Sequence, residues 1–338
     1  MQQLTFISAG NLEWHESDDP TLGGPKQALV RPTAVAMCDL DIAAIQGLAP
    51  IPGPFALGHE FTATVIEVGD EVIRVRPGDE VICSFQISCG ICVRCLRGDT
   101  GNCTEVNPGA MYGLGQVGGE HWGGAMADIV LVPFADAMLF AVSASISAPT
   151  LASSSDNIVD GYRTVAPSLA KHPGADVLIV AGGARSIPLY TVQIARALGA
   201  GRIDYIDHDV ARLDLAEKFG ARPIEGPPGK KAGSYQVTVD ASATEDGLRC
   251  AIRSTEPGGT CTSIGIYYSD VEMPLLHMYS KGITFITGRP DSVATLPEVI
   301  KLIETGRIDP DELQTTFAWE DAIEALKDPP VKTIFVRD

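Results

Sequence analysis

At 338 residues the chain is too long for one ordinary hydrophobic core, so two domains are expected. Its composition, 45% hydrophobic and 20% charged, is that of a globular protein. A formal net charge of -18 argues against nucleic acid or an anionic membrane as partner, because both would be repelled.

The N-terminal stretch MQQLTFISAGNLEWHESDDP has no basic segment followed by an apolar core, so no secretory signal is expected. MADIVLVPFADAMLFAV, the most apolar later run, is broken by Asp128, Pro133 and Asp136. It is also shorter than the ~18 uninterrupted apolar residues of a membrane span. These readings place the protein in the cytoplasm, where cysteines stay reduced and clusters of them hold metal.

Short alternating strands and Gly/Pro turns fill the first half, and three stretches there carry chemistry. AMCDLD supplies Cys38 and Asp41, and LGHEF supplies His59 and Glu60. Taken singly, Cys38 also reads as a buried small hydrophobe, His59 as a satisfied core histidine and Glu60 as an ordinary satisfied carboxylate. The third stretch, residues 88–103, is more specific. Cys89, Cys92, Cys95 and Cys103 are spaced C-x2-C-x2-C-x7-C among small and polar residues. Gly90, Gly98 and Gly101 let this backbone fold tightly around one point. Four thiolates at such spacing suit a tetrahedral zinc, and four protein ligands leave no position for substrate, so the site is structural. The leftover Cys83, Cys250 and Cys261 lie in apolar contexts and read as core.

Residues 143–155, SASISAPTLASSS, form a small-residue crossing between domains, and SSSDNIVDGY follows with Asp156, which singly reads as a helix cap. From about Ala175 the pattern changes. DVLIV reads as a buried parallel strand, AGGARS as a turn and IPLYTVQIARALGA as an amphipathic helix. RIDYIDHD is a strand ending in Asp207, and ARLDLAEKFGA is the next helix. YQVTVDAS, GTCTSIGI and ITFITG then alternate with helical stretches, which predicts a doubly wound parallel sheet of the Rossmann kind. A Gly-rich turn holding Gly182 and Gly183 would set backbone N–H groups against a pyrophosphate, with Arg185 and Ser186 placed to contact phosphate directly. Asp207 would accept the adenosine ribose hydroxyls, and with Asp209 would repel a 2′-phosphate, so NAD is favoured over NADP. The tail from Arg289 carries two helix-like segments, TLPEVIKLIETG and WEDAIEALKD, and a last strand, VKTIFV.

Taken together these stretches resemble the zinc-containing medium-chain dehydrogenases, the alcohol-dehydrogenase superfamily, over nearly the whole chain. GHEFTATVIEVGDEVIRVRPGDEV is similar to the family's signature, the cysteine loop follows at the expected distance, and SSDNIVDGY resembles the stretch that precedes the cofactor domain. The resemblance implies a GroES-like, irregular β-barrel catalytic domain over 1–152, an NAD-binding Rossmann domain over 153–288, and a tail over 289–338 that returns to the first domain. It implies an active-site cleft between the domains and a catalytic zinc held by Cys38, His59 and Asp156. A fourth position on that zinc would be open to water or a substrate oxygen. Asp41 would hold the far nitrogen of His59, and Glu60 would lie beside the metal. Arg212 matches a basic position that follows the ribose-binding acid, though it reads equally as a solvated helix residue. Gly265 joins the nucleotide-binding set, and Lys332 aligns with a position that can reach the pyrophosphate. A homodimer or homotetramer is implied as well.

The sequence departs from that family in several places. The usual proton relay has a hydroxyl two residues after the zinc-binding cysteine and often a histidine three further on; here Leu40 and Ala43 stand there, and neither carries a proton. Tyr112 and His121 are candidates for a substitute route, each with a plain reading as packing or surface residue. Pro188 stands where the third glycine of the fingerprint belongs. Asp39 and Asp160 add carboxylates near the dinucleotide, repulsive unless paired. The expectation is a zinc- and NAD-dependent oxidoreductase that moves hydride between NAD(H) and an alcohol, aldehyde or ketone. A non-catalytic relative, or one that retains NAD and dismutates, is the alternative.

Overall fold

The structure is a computed structural model and describes residues 1–115 and 122–337. The chain forms two compact units: Met1–Val159 with Pro290–Glu304 and Pro310–Asp338, and Asp160–Arg289 with Thr305–Asp309.

The first unit begins with β1 (Gln2–Ser8), β2 (Asn11–Glu16), β3 (Ala28–Ala36), α1 (Asp39–Ile45), β4 (Phe55–Ala56), β5 (Glu60–Val68) and β6 (Glu80–Cys83). It continues through α2 (Val93–Leu96), β7 (Val130–Val132), α3 (Ala135–Met138), β8 (Leu139–Ala141) and α4 (Ala148–Leu151). β3 and β5 are antiparallel, and Pro32, which has no N–H to give a ladder, sits at an irregularity between Pro32 and Ala34. Their inward faces bury Val30, Val35, Phe61, Ala63 and Val65. Phe6 stacks on Phe55 at 4.7 Å, and Tyr112 meets Phe61 edge-on at 5.7 Å. The small-residue stretch 143–155 lies inside this unit, where α4 packs on β3 and β5.

The second unit takes in most of α5 (Asn157–Lys171), then β9 (Val177–Val180), α6 (Ile187–Ala197), β10 (Ile203–Asp207), α7 (Val210–Lys218) and β11 (Arg222–Glu225). β12 (Tyr235–Asp240), α8 (Glu245–Ser254), β13 (Thr255–Ser263), α9 (Leu275–Lys281) and β14 (Thr284–Thr287) complete it. The six strands run parallel in the order β11-β10-β9-β12-β13-β14. Counted from β9 this is the 3-2-1-4-5-6 order of a dinucleotide-binding sheet, whose direction of winding reverses between β9 and β12. β9 is buried along its whole length, as its unbroken apolar run VLIV requires.

The tail returns to the first unit through α10 (Ser292–Glu304), β15 (Gln314–Ala318), α11 (Ala322–Ala325) and β16 (Lys332–Val336). β16 pairs antiparallel with β3, Ile334 against Ala36, and so carries Lys332 to the end of β3 that leads into Cys38. Among the described residues no helix is long and apolar enough to cross a membrane.

Candidate metal centres and nucleotide edge

Cys38 leaves β3 and opens α1, His59 and Glu60 open β5, and Asp156 precedes α5. Their ligand atoms, Cys38 Sγ, a His59 ring nitrogen, and carboxylate oxygens of Glu60 and Asp156, all lie within 4.8 Å of one another. All four are buried. His59 Nε2 is 3.2 Å from Asp156 Oδ2, and its Nδ1 is 3.5 Å from Asp41 Oδ1. Asp41 also accepts the Cys38 N–H at 3.1 Å, which fixes the start of α1. Glu60 Oε1 accepts from Lys332 Nζ at 2.7 Å, and Lys332 also donates to the Met37 carbonyl at 2.8 Å.

Titration shifts follow from burial and charge. Burial pushes the Cys38 thiol well up, reinforced by Asp156, Glu60 and Asp41. Burial likewise raises Glu60 to about 8, although Lys332 opposes it. For His59 burial opposes the charge, yet Asp41 and Asp156 outweigh it and hold the ring well above its ordinary value. Burial opposes the Asp156 charge too, but its bond from His59 prevails and its carboxyl is lowered. Three buried carboxyl groups and a thiol converge here on one imidazole and one lysine, a crowded set of donors that suits a divalent cation. Thiolate, imidazole and carboxylate are zinc ligands, and the His59–Asp41 contact is the kind that fixes a ligand's tautomer.

The second cluster is self-contained. Sγ atoms of Cys89, Cys92, Cys95 and Cys103 also lie within 4.8 Å of one another, and all eight cysteines are free. Cys92 and Cys103 sulfurs stand 4.0 Å apart, far beyond a disulfide and near the edge of about 3.8 Å that a tetrahedron with metal–sulfur bonds of about 2.3 Å would have. Backbone N–H groups of Ile91 and Cys92 point at Cys89 Sγ, that of Cys95 at Cys92 Sγ, and that of Cys89 at Cys103 Sγ. The Cys92 thiol is lowered to about 5 by backbone N–H bonds from Thr104 and Cys95, whereas burial raises Cys89 and Cys95. Gly90, at φ +75, lets the loop turn where a Cβ would meet Ala137 at 2.7 Å. Both donor sets fit zinc.

In the second unit the turn after β9 holds Gly182 at φ +136 and Gly183, where a Cβ would lie 2.6 Å from the Ser242 carbonyl oxygen. Gly183 and Ala184 donate their N–H groups to the Ala241 carbonyl at 3.2 and 2.9 Å. Arg185 is half-buried, and Ser186, buried, precedes α6 without a side-chain capping bond. Pro188 falls in the first turn of α6, where its missing N–H costs no helical bond. Asp207 is buried, and Arg212 grips it with Nε to Oδ2 and Nη2 to Oδ1, both at 2.7 Å. Asp207 also accepts from the His208 and Asp209 N–H groups and the Tyr205 hydroxyl. Burial resists its charge, but the Arg212 bond keeps its carboxyl below the ordinary value. Arg212 is therefore no solvated helix residue; its side chain is 8% exposed. The groups that face solvent at this strand end are His208 and Asp209, 70% and 41% exposed.

Two expectations need correcting. Tyr112 is fully buried and its hydroxyl donates to the Leu131 carbonyl at 2.9 Å, so it is a packing residue rather than a proton carrier. The Lys332 ammonium is buried on Glu60 and Met37, which ties it to the metal cluster instead of a pyrophosphate. His121 lies outside the described residues. Leu40 and Ala43 on α1 pack against the first unit's core. The sequence reading missed the Lys332–Glu60 pair, whose partners are 272 positions apart with no local signal. It also missed the ion pair of Asp160 with Arg163, which a three-residue spacing on a helix could have suggested.

Residues 24–142 match the family model of the alcohol dehydrogenase GroES-like domain, and 186–305 that of the zinc-binding dehydrogenase. Geraniol dehydrogenase of Castellaniella defragrans is 30% identical over 327 residues, covering 89% of this chain and 87% of its own. The chain belongs to the zinc-containing medium-chain dehydrogenases, the alcohol-dehydrogenase superfamily. Another dehydrogenase of the superfamily, the glutathione-independent formaldehyde dehydrogenase of Pseudomonas aeruginosa PAO1, is 31% identical, covering 85% of this chain and 73% of its own. The structure of the alcohol dehydrogenase TADH from Thermus sp. ATN1 superposes with a TM-score of 0.90 at 27% identity, covering 100% of both chains.

Proposed function

We propose that this dehydrogenase is a zinc- and NAD-dependent oxidoreductase acting on an alcohol, or on the matching aldehyde or ketone. The observation that carries the reading is the buried gathering of Cys38, His59, Glu60 and Asp156, with Asp41 behind His59. When bound, zinc would supply Lewis acidity to a substrate oxygen and NAD would accept or return the hydride. Cys38, His59 and Asp156 would hold the metal, and Asp41, 3.5 Å from His59 Nδ1, would orient the ring. Lys332 holds Glu60 by an ion pair, so Glu60 would lie beside the metal rather than among its three ligands. Leu40 and Ala43 bring no proton carrier to α1, so the proton leaves by another path. At the end of β10, Asp207 and Asp209 share the one guanidinium of Arg212, and the net negative charge left there disfavours a 2′-phosphate and supports NAD. The closed four-cysteine cluster would carry the structural zinc.

Calorimetric titration of metal-quantified protein with NADH and then NADPH tests this reading. Tight NADH binding with two zinc ions per chain is the expected result, and Cys38→Ser should abolish turnover while the four-cysteine metal stays. No binding of either nucleotide to zinc-loaded, nucleotide-free protein would move the reading to a non-catalytic relative, and full activity of Cys38→Ser would sink the proposed site.

A further inference from the structure

We propose that Tyr267 binds the dinucleotide as a hydrogen-bond acceptor, its proton drawn inward by the buried Asp240 carboxylate, for a hydroxyl or amide N–H donor of the cofactor. The inference rests on the second unit being a dinucleotide-binding domain.

Ile206, Val180, Asp240, Ser263 and Thr287 are register partners on one rung at the carboxyl ends of β9, β12, β13 and β14. Ligands of such sheets bind outside the carboxyl ends of the strands, where the winding reverses, here between β9 and β12. Asp240 ends β12 at that point and is 0% exposed. Its Oδ1 accepts from the Ser242 hydroxyl at 2.6 Å and the Ser242 N–H at 3.2 Å. Its Oδ2 accepts from the Ser263 hydroxyl at 2.7 Å and the Tyr267 hydroxyl at 2.8 Å. Those four donors are three hydroxyls and a backbone amide.

A carboxylate accepts only, so it dictates the direction of every hydroxyl that reaches it. Tyr267 has one proton, held by Asp240 with the Thr244 carbonyl 3.2 Å away as a second acceptor. What its oxygen has left to offer a ligand is acceptance, strengthened because its own proton is engaged by a charge. Ribose hydroxyls and a carboxamide N–H2 match such an oxygen; phosphate oxygens, which also accept, do not. Tyr267 is half-buried between Ile266 and Tyr268, which are 48% and 55% exposed, so it sits at the surface of the carboxyl edge.

The neighbouring loops converge on the same corner. Ala243 holds φ +51, a left-handed conformation. A Cβ on Gly183 would come within 2.7 Å of the Ala243 side chain, and one on Gly265 within 3.1 Å of Ala243 Cα. The turns after β9 and β13 thus both press on the corner after β12, and Asp240 bonds that corner through Ser242 and the β13 turn through Tyr267. Gly183 and Gly265 are needed for this closure.

Affinities for NADH and ADP-ribose, measured by calorimetry on metal-quantified protein, test the proposal with Tyr267→Phe and Asp240→Asn. Tyr267→Phe leaves Asp240 its Ser242 and Ser263 donors, and a cooperative unfolding transition, somewhat lowered by the lost bond, would confirm the fold. NADH should bind roughly three- to tenfold more weakly to Tyr267→Phe. An equal loss for ADP-ribose assigns the donor to the ribose, and a loss for NADH alone assigns it to the carboxamide. Asp240→Asn keeps the tyrosine but lets its proton turn outward, so it should weaken NADH as well. Wild-type NADH affinity in both variants would overturn the proposal and leave the dinucleotide reading standing. A wild-type protein that binds neither nucleotide would overturn both.

Discussion

Replacing Glu60 by glutamine in the metal-free protein isolates the electrostatic cost of the buried cluster. Burial raises the Glu60 carboxyl from 4.5 to about 8 in spite of Lys332. In the unfolded chain it titrates near its ordinary value. Between those limits the folded state holds a proton that the unfolded chain has released. The contribution is therefore complete below about pH 4.5 and is lost as pH rises through about 8. One such proton is worth about 1.4 kcal/mol per pH unit, and the whole window is on the order of 5 kcal/mol. His59 acts in the same sense at higher pH, since its carboxylate neighbours hold it above its ordinary value against burial. Glutamine can still accept from Lys332, so the variant removes the Glu60 titration while leaving His59 and the four-cysteine site in place. Urea unfolding of metal-stripped wild type and Glu60→Gln, from about pH 5.5 to about pH 7.5, should give a wild-type slope steeper by about 1.4 kcal/mol per pH unit. Adding zinc should erase the difference, because the cation takes over the proton's role. Parallel slopes in the metal-free proteins would refute the claim that burial governs this carboxyl.

Cys103→Ser should cost one equivalent of zinc and leave the Cys38 cluster loaded, as metal analysis after gel filtration would show. Arg212→Met strands the buried Asp207 carboxylate and should destabilise the protein by about 3 kcal/mol, read from denaturant unfolding. Ala243→Gly relieves a left-handed alanine at about 1 kcal/mol, partly offset by glycine's greater chain entropy, so a gain of about 0.5 kcal/mol is expected in the same assay. A loss would mean that the Ala243 methyl contributes packing worth more than the strain.

Local signals made the four-cysteine cluster and the parallel sheet legible. Four cysteines within one loop need only a tight turn to converge, and VLIV or YQVTVD announces a buried strand without help from distant residues. Cys38, His59 and Asp156 were legible only through resemblance, since nothing in their spacing says that the start of α1, the start of β5 and the turn before α5 meet. Side chains that respond to long-range partners stayed hidden. Lys332 read as a cofactor ligand because its strand could be recognised while the position of Glu60 beside it could not. Arg212 read as solvated because helix periodicity alone does not show that Asp207 points back beneath it. Asp240 gave no signal at all: an acid ending a strand is common, and only the meeting of Ser242, Ser263 and Tyr267 on it sets it apart.

Several departures that looked hostile to a cofactor are met locally in the structure. Asp160 is paired with Arg163 one helical turn on, and Arg163 also holds the Gly288 carbonyl that follows β14. Pro188 occupies a helical position that needs no N–H. A sequence drifting free of function has no reason to set Arg163 against Asp160, nor Asp41 behind His59. Leu40 and Ala43 are different, for they pack against the core and carry no proton themselves. The proton path is therefore a separate test of the reading, beside metal and nucleotide binding. A solvent-exchange route would make turnover follow buffer concentration, whereas a protein-borne acid would impose its own titration on the rate. Measuring the rate against buffer concentration at fixed pH separates these, and independence from buffer would direct the search to an acid of the protein.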